Sequence, residues 1–544
     1  MEDSSVRISG NIVDVLGQRI YPGTVIISDG TIADIIHEQG PYKTYIIPGF
    51  IDSHIHIESS MLTPVEFARI ATVHGTVACV SDPHEIANVL GMDGVKFMIE
   101  NGELSPFKFF FGAPSCVPAT PFETSGARIG PDEVEELLRL DEVKYLSEVM
   151  NYPGVLCADP EVMAKVELAR KYNKCIDGHA PGLKDDMLKA YVNAGMQTDH
   201  ETFALDEALQ KLKNGMKIQI REGSAARDFD VLHPIIDEYP DLCMFCSDDK
   251  HPDDLLRGHI NDLVKRAVAL GHDLMAVLRC ACVNPVRHYG LEVGLLRKGD
   301  PADFIVVEDL KSFAVYDTYI GGRKVAHEGR TLLEGVPVEA INVFRTNRKI
   351  PEDFHVPAAS GMMNVIEAVD GQLITGRIHA QPKVEDGLAV SDTDRDILKM
   401  AVVNRYEDTS PAVAFVKNFG LKKGAIATSV AHDSHNIVAV GVTDRDICEA
   451  VNLVIGNRGG LAVCRNGVRE SLALPIAGLM SNDEAHIVAD KYALLDGLAH
   501  EFGCQMRSPF LTLSFMALLV IPSLKLSDKG LFDAEKFSFI DLFE

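Results

Sequence analysis

The chain has 544 residues, too many for one hydrophobic core and enough for two to four domains. Its 46% hydrophobic and 24% charged content is ordinary for a globular protein. A formal net charge of −27 leaves no basic surplus for a bulk nucleic-acid partner, and it reads as a solubility feature that says nothing about fold.

The opening MEDSSVRISG is polar and acidic, without the apolar run of a secretory signal. The most apolar late run, Phe510 to Ile521, is too short to span a bilayer and is followed by Pro522. It is expected to be a buried strand or helix, and no membrane partner is expected. The 11 cysteines are scattered and odd in number, unlike a disulfide framework. Cys243 and Cys246 form a lone CxxC inside an apolar run, where buried reduced thiols are the expectation. A cytoplasmic location follows as the default.

Residues 1 to 47 alternate apolar and polar positions between glycines, as short strands with turns. Such an element is too small to close a core alone. Residues 293 to 335 repeat the pattern in VGLLRKGDPADFIVVEDL and DTYIGGRKVAHEGR. The two ends are expected to form one composite β-sandwich domain, with residues 48 to 292 inserted between them.

Within that insert, apolar runs alternate with helical patterns. The first run ends in PGFIDSHIHIESSM, and it is followed by TVACVSD, FKFFFGA, KYLSEVM, KCIDGHA, MQTDHE, MKIQIREG and LCMFCSDD. Eight strands alternating with helices over about 240 residues match a (β/α)8 TIM-like barrel. From about 336 to 352 the chain reads as a connection. Residues 350 to 544 read as an additional C-terminal α/β domain, with strands in GQLITGRI, MAVVNRY, PAVAFVKNFG, AIATSVAHD and NIVAVGV.

In a barrel of this kind the active-site residues stand at the C-terminal ends of the strands. His54 and His56 close the first run, with the same strand face expected for both. Asp82 closes the second, followed by His84, which is not expected to point inward, and Glu85. Glu148 closes the fourth, His179 the fifth, His200 the sixth, and Asp248 with Asp249 the eighth. Any one of these suits a loop or a helix cap; their joint occurrence at strand ends points to a metal site. Imidazoles and carboxylates together suit zinc, manganese or iron. Glu148 is placed to bridge two ions, and an aspartate ending the last strand to carry a proton. No Gly-x-Ser-x-Gly elbow offers a serine nucleophile. His259, His272, His288 and His486 read as ordinary histidines.

PGFIDSHIHIESSM, SDPHEIANVLG, LSEVMNYPGV, DGHAPG, TDHE, REGSAARD, CSDDKHPDDL and SVAHDSHNIVAVG together resemble the adenine deaminase family of the amidohydrolase superfamily, over almost the whole chain. The resemblance implies hydrolysis of adenine to hypoxanthine and ammonia by a metal-activated hydroxide, in purine salvage. It implies two divalent transition-metal ions, manganese or iron ahead of zinc. His54 and His56 would bind one ion and His179 and His200 the other. Glu148 would bridge them or handle a substrate proton, and Asp248 or Asp249 would serve as ligand and acid/base. Asp82 and Glu85 are further catalytic candidates, and Glu85 or Glu148 would serve purine N1. Many amidohydrolases bridge their metals with a carboxylated lysine on the fourth strand; Lys144 is there but precedes the strand end, so Glu148 is preferred. Arg227 would bind the purine edge, or else form a surface ion pair. His432 and Asp433 would close over the substrate, or else form an Asx-type turn. A homodimer or higher homo-oligomer is expected. The competing readings are an amidohydrolase acting on another cyclic amide and a catalytically dead scaffold of the same fold.

Overall fold

A computed structural model describes residues 5–544. Four strands from the start of the chain, Val6–Asp14, Arg19–Ser28, Thr31–His37 and Tyr45–Pro48, join Phe304–Val307, Val315–Ile320, Arg323–His327 and Arg330–Thr331 in one eight-stranded sheet. The two ends meet where Tyr45–Pro48 pairs antiparallel with Phe304–Val307. One set of its residues, including Ile12, Val25, Ile27, Ile46 and Phe304, forms a small core of its own. Val13, Ile47, Ile305 and Val307 belong instead to a core shared with the inserted barrel.

Pro48 and Gly49 mark the passage into the barrel. The apolar run that enters the histidine pair is therefore two strands in two sheets. A Cβ at Gly49 would stand 2.4 Å from the Val77 methyls, so the close approach of the two strands requires glycine there.

The barrel consists of β1 (Phe50–Ile55), β2 (Thr76–Ser81), β3 (Lys108–Ala113), β4 (Val143–Val149), β5 (Cys175–Gly178), β6 (Thr198–Asp199), β7 (Lys217–Arg221) and β8 (Cys243–Cys246). Each pairs parallel with the next. An Ile55–Asp248 bridge joins the last edge to the first, so the ring closes just above β1 and β8. Cys243 and Cys246 are free and buried in β8. The sixth strand keeps only two residues of the MQTDHE run, because the chain leaves the ladder at His200 to face the barrel mouth.

Two strands carry an extra residue at the functional end. Between Asp52 and Ile55, two residues of β1 oppose one of β2. Between Leu146 and Val149, two residues of β4 oppose one of β5. Such bulges twist a strand and redirect its side chains. They fall at Ser53–His54 and Ser147–Glu148.

The C-terminal domain is a second eight-stranded sheet running Thr375–Ala380, Met363–Ala368, Ala412–Lys417, Ile397–Val403, Ile437–Gly441, Ala425–Thr428, Gly460–Arg465 and Val468–Ala473. Its strands split their residues by period two. Ala401, Val403, Ala425, Ala427, Ile437 and Ala439 pack on the helix Asp444–Asn457. Met400, Val402, Ile426, Val438 and Val440 join the large core shared with the barrel. The late apolar run becomes the buried helix Pro509–Phe515 and the turns after it. No helix is long and apolar enough to cross a membrane among the described residues.

Candidate active site

The barrel mouth gathers the strand ends around Glu148. Its Oε1 lies 3.2 Å from His56 Nε2 and 3.9 Å from His54 Nε2. Its Oε2 lies 2.5 Å from His179 Nδ1 and 3.2 Å from His200 Nε2. The two carboxylate oxygens thus face two different imidazole pairs. Burial pushes the Glu148 carboxyl up, but the His179 and His200 imidazoles prevail and hold it well below the usual carboxylate range.

Asp248 completes the first pair. Its Oδ1 is 3.2 Å from His56 Nε2 and 3.7 Å from His54 Nε2. Its Oδ2 accepts a hydrogen bond from Arg221 Nη1 at 2.8 Å. Against burial, the hydrogen bond from His56 and the Arg221 guanidinium hold its carboxyl well below the usual range. Asp248 sits at φ 54°, a left-handed conformation that costs a non-glycine residue about 1 kcal/mol or more. Asp249 turns elsewhere: its Oδ1 accepts from Ser59 Oγ at 2.5 Å and lies 3.8 Å from His432 Nε2. Burial pushes the Asp249 carboxyl up.

A second polar layer joins the two domains. The loop after Ala425–Thr428 drops His432, Asp433 and His435 onto the end of β2. His432 Nδ1 and His435 Nε2 contact the two oxygens of Glu85. His84 does point inward, contrary to expectation. Its Nδ1 is 3.1 Å from Asp82 Oδ2 and 3.7 Å from Glu148 Oε1, and its Nε2 is 3.9 Å from Asp433 Oδ1. The reason is the short helix His84–Leu90, which starts at once after β2 and folds its first side chain back over the mouth. Despite burial, the His432, His435 and His84 imidazoles hold Glu85 well below the usual range. Burial lowers His432, but Glu85 and Asp249 outweigh it and bring the imidazole to about 9. Burial raises the Asp433 carboxyl to about 6.

The donor set fits a divalent cation. Among the described residues, both nitrogens of His54, His179 Nε2 and His200 Nδ1 are buried without a hydrogen-bond partner. Unpartnered buried polar atoms are costly. Ligand atoms within 4.8 Å of one another occur in His54–His56–Asp248, His54–Glu148–His200, His179–His200–Glu201 and His56–Asp82–His84–Glu148. The Nδ1–H of His56 faces the Asp82 carbonyl at 3.1 Å, which leaves Nε2 as the free donor.

The cluster opens into a small pocket that His56, His84, His179, His200 and Asp248 themselves line. Its polar wall includes Glu85, Glu148, Asp249, His432 and Asp433, and its apolar wall is Met150, Leu373, Phe515, Leu518 and Ile521. His432 stacks on Phe515 with ring centroids 4.8 Å apart at 16°. This slot has one charged wall and one apolar wall.

Arg227 does not reach it. Its guanidinium pairs with Asp254 at 3.0 Å, is 37% exposed and faces a separate cleft beside Arg257 and Arg507. Arg221 takes the buried position instead, bonding Glu201 with both terminal nitrogens, Asp248, and Asp228 at 3.1 Å. It closes the seventh apolar run, so the strand-end rule that selects the other residues also points to it. His259 is likewise more than an ordinary histidine. Its Nε2 is 2.8 Å from Asp52 Oδ2, and Asp52 accepts from the backbone N–H groups of Ser247 and His54. It therefore ties the ends of β1 and β8 together. No sequence pattern marks that pairing, which spans about 200 residues.

Residues 45–325 match the amidohydrolase family, and residues 372–538 match the adenine deaminase C-terminal domain. The chain is 57% identical to an adenine deaminase of Sulfurovum sp. over 98% of its own length and 99% of that protein's. It is 55% identical to an adenine deaminase of Salinibacter ruber over 99% of both chains. An adenine deaminase of Methanosarcina mazei is 52% identical over 99% of both.

Proposed function

This chain belongs to the adenine deaminase family of the amidohydrolases and deaminates adenine hydrolytically, and we propose that it does so with two divalent metal ions, manganese or iron ahead of zinc. His54, His56 and Asp248 would hold one ion and His179 and His200 the other, with Glu148 shared between them. The ions supply charge that brings the pKa of water towards neutral. The observation that carries this reading is the division of Glu148, one oxygen towards each imidazole pair.

The chain's own groups manage the base and the protons. Leu373, Phe515, Leu518 and Ile521 cover the purine plane and exclude water from it. His432, charged and backed by Glu85 on Nδ1, keeps Nε2 without a partner and donates a proton to purine N1. That proton makes C6 electrophilic. Asp248, held in one orientation by Arg221, accepts the proton released by the attacking water and delivers it to the departing amino group, and the hydroxyl proton left on C6 returns to His432 as the C6 carbonyl forms. Asp249 and Asp433 line the rim and accept hydrogen bonds from the purine edge. Arg227 takes no part. A free-base substrate supports a role in purine salvage, and the unpaired cysteines suit a reducing cytoplasm.

The test is a titration of metal-stripped protein with manganese, following hypoxanthine by absorbance and ammonia by a coupled assay, with adenosine, guanine and cytosine as competitors for activity. Full adenine turnover at two ions per chain is expected. Full turnover at one ion per chain overturns the paired-metal reading, and turnover of another base in preference to adenine overturns the slot assignment.

A further inference from the structure

The apolar wall of the slot is built from two stretches far apart in sequence. Leu373 precedes the strand Thr375–Ala380, whereas Phe515, Leu518 and Ile521 belong to the end of the helix Pro509–Phe515 and the turns after it. A short strand, Leu524–Ser527, lies between them and holds both. Thr375 Oγ1 donates to Leu524 O at 2.9 Å, and Leu526 N donates to Met516 O at 3.1 Å. Lys525 reaches further in. It is 0% exposed, and its Nζ donates to Leu373 O at 2.7 Å and to Phe515 O at 2.9 Å.

We infer that Lys525 is a positioning residue of the adenine site: its amine clamps Leu373 to Phe515 and thereby fixes the apolar wall of the slot that takes the purine. The inference rests on the slot being the base-binding cavity.

The choice of partners supports it. The buried lysines Lys211 and Lys399 each have a carboxylate, from Asp199 and Glu207 in one case and Asp444 in the other. Lys525 has only two carbonyls, and both belong to residues that line the slot. Phe515 ends its helix, where the dipole favours a cation or donor, and its carbonyl also accepts from Leu518 N at 3.3 Å. Burial is the sole influence on the Lys525 ammonium and lowers it to about 7. A neutral amine has two N–H donors, matching the two carbonyls; the third donor of an ammonium finds no partner among the described residues. A buried lysine without a counter-ion is a poor device for stability alone. Joining the two stretches of the apolar wall gives it a role that an apolar side chain of similar length cannot fill.

The experiment compares Lys525→Met with Lys399→Met, which removes a buried lysine from the same domain away from the slot, and with Phe515→Ala, which opens the slot directly. KM and kcat for adenine, bound metal and melting temperature are measured on each full-length enzyme. K525M is expected to raise KM about tenfold, the scale of one lost buried hydrogen bond, with bound metal at the wild-type level. K399M is expected to lower the melting temperature and leave KM unchanged. A wild-type KM in K525M alongside a raised KM in F515A overturns the clamp and leaves the slot assignment standing. A wild-type KM in F515A overturns the slot assignment itself. If K525M does not fold, Lys525→Ala is read in a background stabilised elsewhere in the C-terminal domain: it removes every N–H donor, so a raised KM supports the clamp and a wild-type KM overturns it.

Discussion

Replacing Glu148 with Gln removes one charge and turns one acceptor oxygen into a donor, with almost no change of shape. In the native site both oxygens face imidazole nitrogens, at 3.2 Å for His56, 2.5 Å for His179 and 3.2 Å for His200. The amide would direct N–H at one of these pairs, where a metal ligand must present a lone pair. Loss of a residue that merely orients a ligand costs about 10–100-fold in metal affinity, so loss of a carboxylate facing both pairs is expected to cost at least ~100-fold. With the anion gone, the main group opposing burial at His200, which holds that imidazole at about 9, is gone as well. A proton-handling or charge-stabilising group contributes about 10²–10⁴-fold to rate. The expected fall in kcat/KM is thus about 10³–10⁴-fold, or about 4–5.5 kcal/mol of transition-state stabilisation. Hypoxanthine formation gives the rate and elemental analysis the bound metal. A variant that keeps its full metal and turns over within tenfold of wild type would falsify the bridging assignment.

Asp248→Asn is expected to damage kcat/KM at least about 100-fold more than Asp249→Asn, since only Asp248 faces the His54–His56 pair; the reverse order in steady-state kinetics would exchange their roles. Arg221→Met leaves the Glu201, Asp228 and Asp248 carboxylates buried without their cation, and denaturant unfolding should show a loss of about 3–5 kcal/mol, with unchanged stability counting against the network. Lys525 is lowered in the fold from 10.5 to about 7. Between those pH values the unfolded chain binds a proton that the folded chain does not, so stability rises with pH and is lost as pH falls towards 7. The stability of wild type relative to K525M should therefore increase by about 2–3 kcal/mol from pH 7 to pH 9, whereas a pH-independent difference would show that Lys525 keeps its ordinary pKa. Chelation should abolish turnover and lower the melting temperature, because the ions bind only the assembled barrel mouth, and added manganese should restore both; a melting temperature indifferent to chelation would separate the metal from the fold.

Much of the site can be read along the chain because a parallel barrel converts order in sequence into position in space. Each apolar run enters from the same side, so whatever polar residue ends it stands at one mouth. His54, His56, Glu148, His179, His200 and Asp248 are all legible on that basis, and so is Arg221 once the rule is applied to the seventh run. The composite sheet is legible for a related reason: two short sets of half-buried strands at either end of the barrel each lack a partner.

Direction is what the sequence does not contain. The bulges at Ser53–His54 and Ser147–Glu148 arise from register against neighbouring strands, and they decide where those side chains aim. Asp248 and Asp249 are neighbours of identical chemistry; only the left-handed backbone at Asp248 and the pull of Arg221 from β7 separate them. His84 turns inward because a helix starts directly after β2, and of the two readings open for Arg227 its loop takes the ion pair with Asp254, the partner nearest in space. Glu85 meets His432 across 347 positions of sequence, and Lys525 spans two stretches that approach only when the C-terminal sheet packs on the barrel. Local periodicity thus determined the strands, the helices and which residues gather at the barrel mouth as candidate ligands. Long-range packing alone decided which oxygen faces which nitrogen, because hydrogen bonds and ion pairs depend on ångström-scale distances that no short window of sequence specifies.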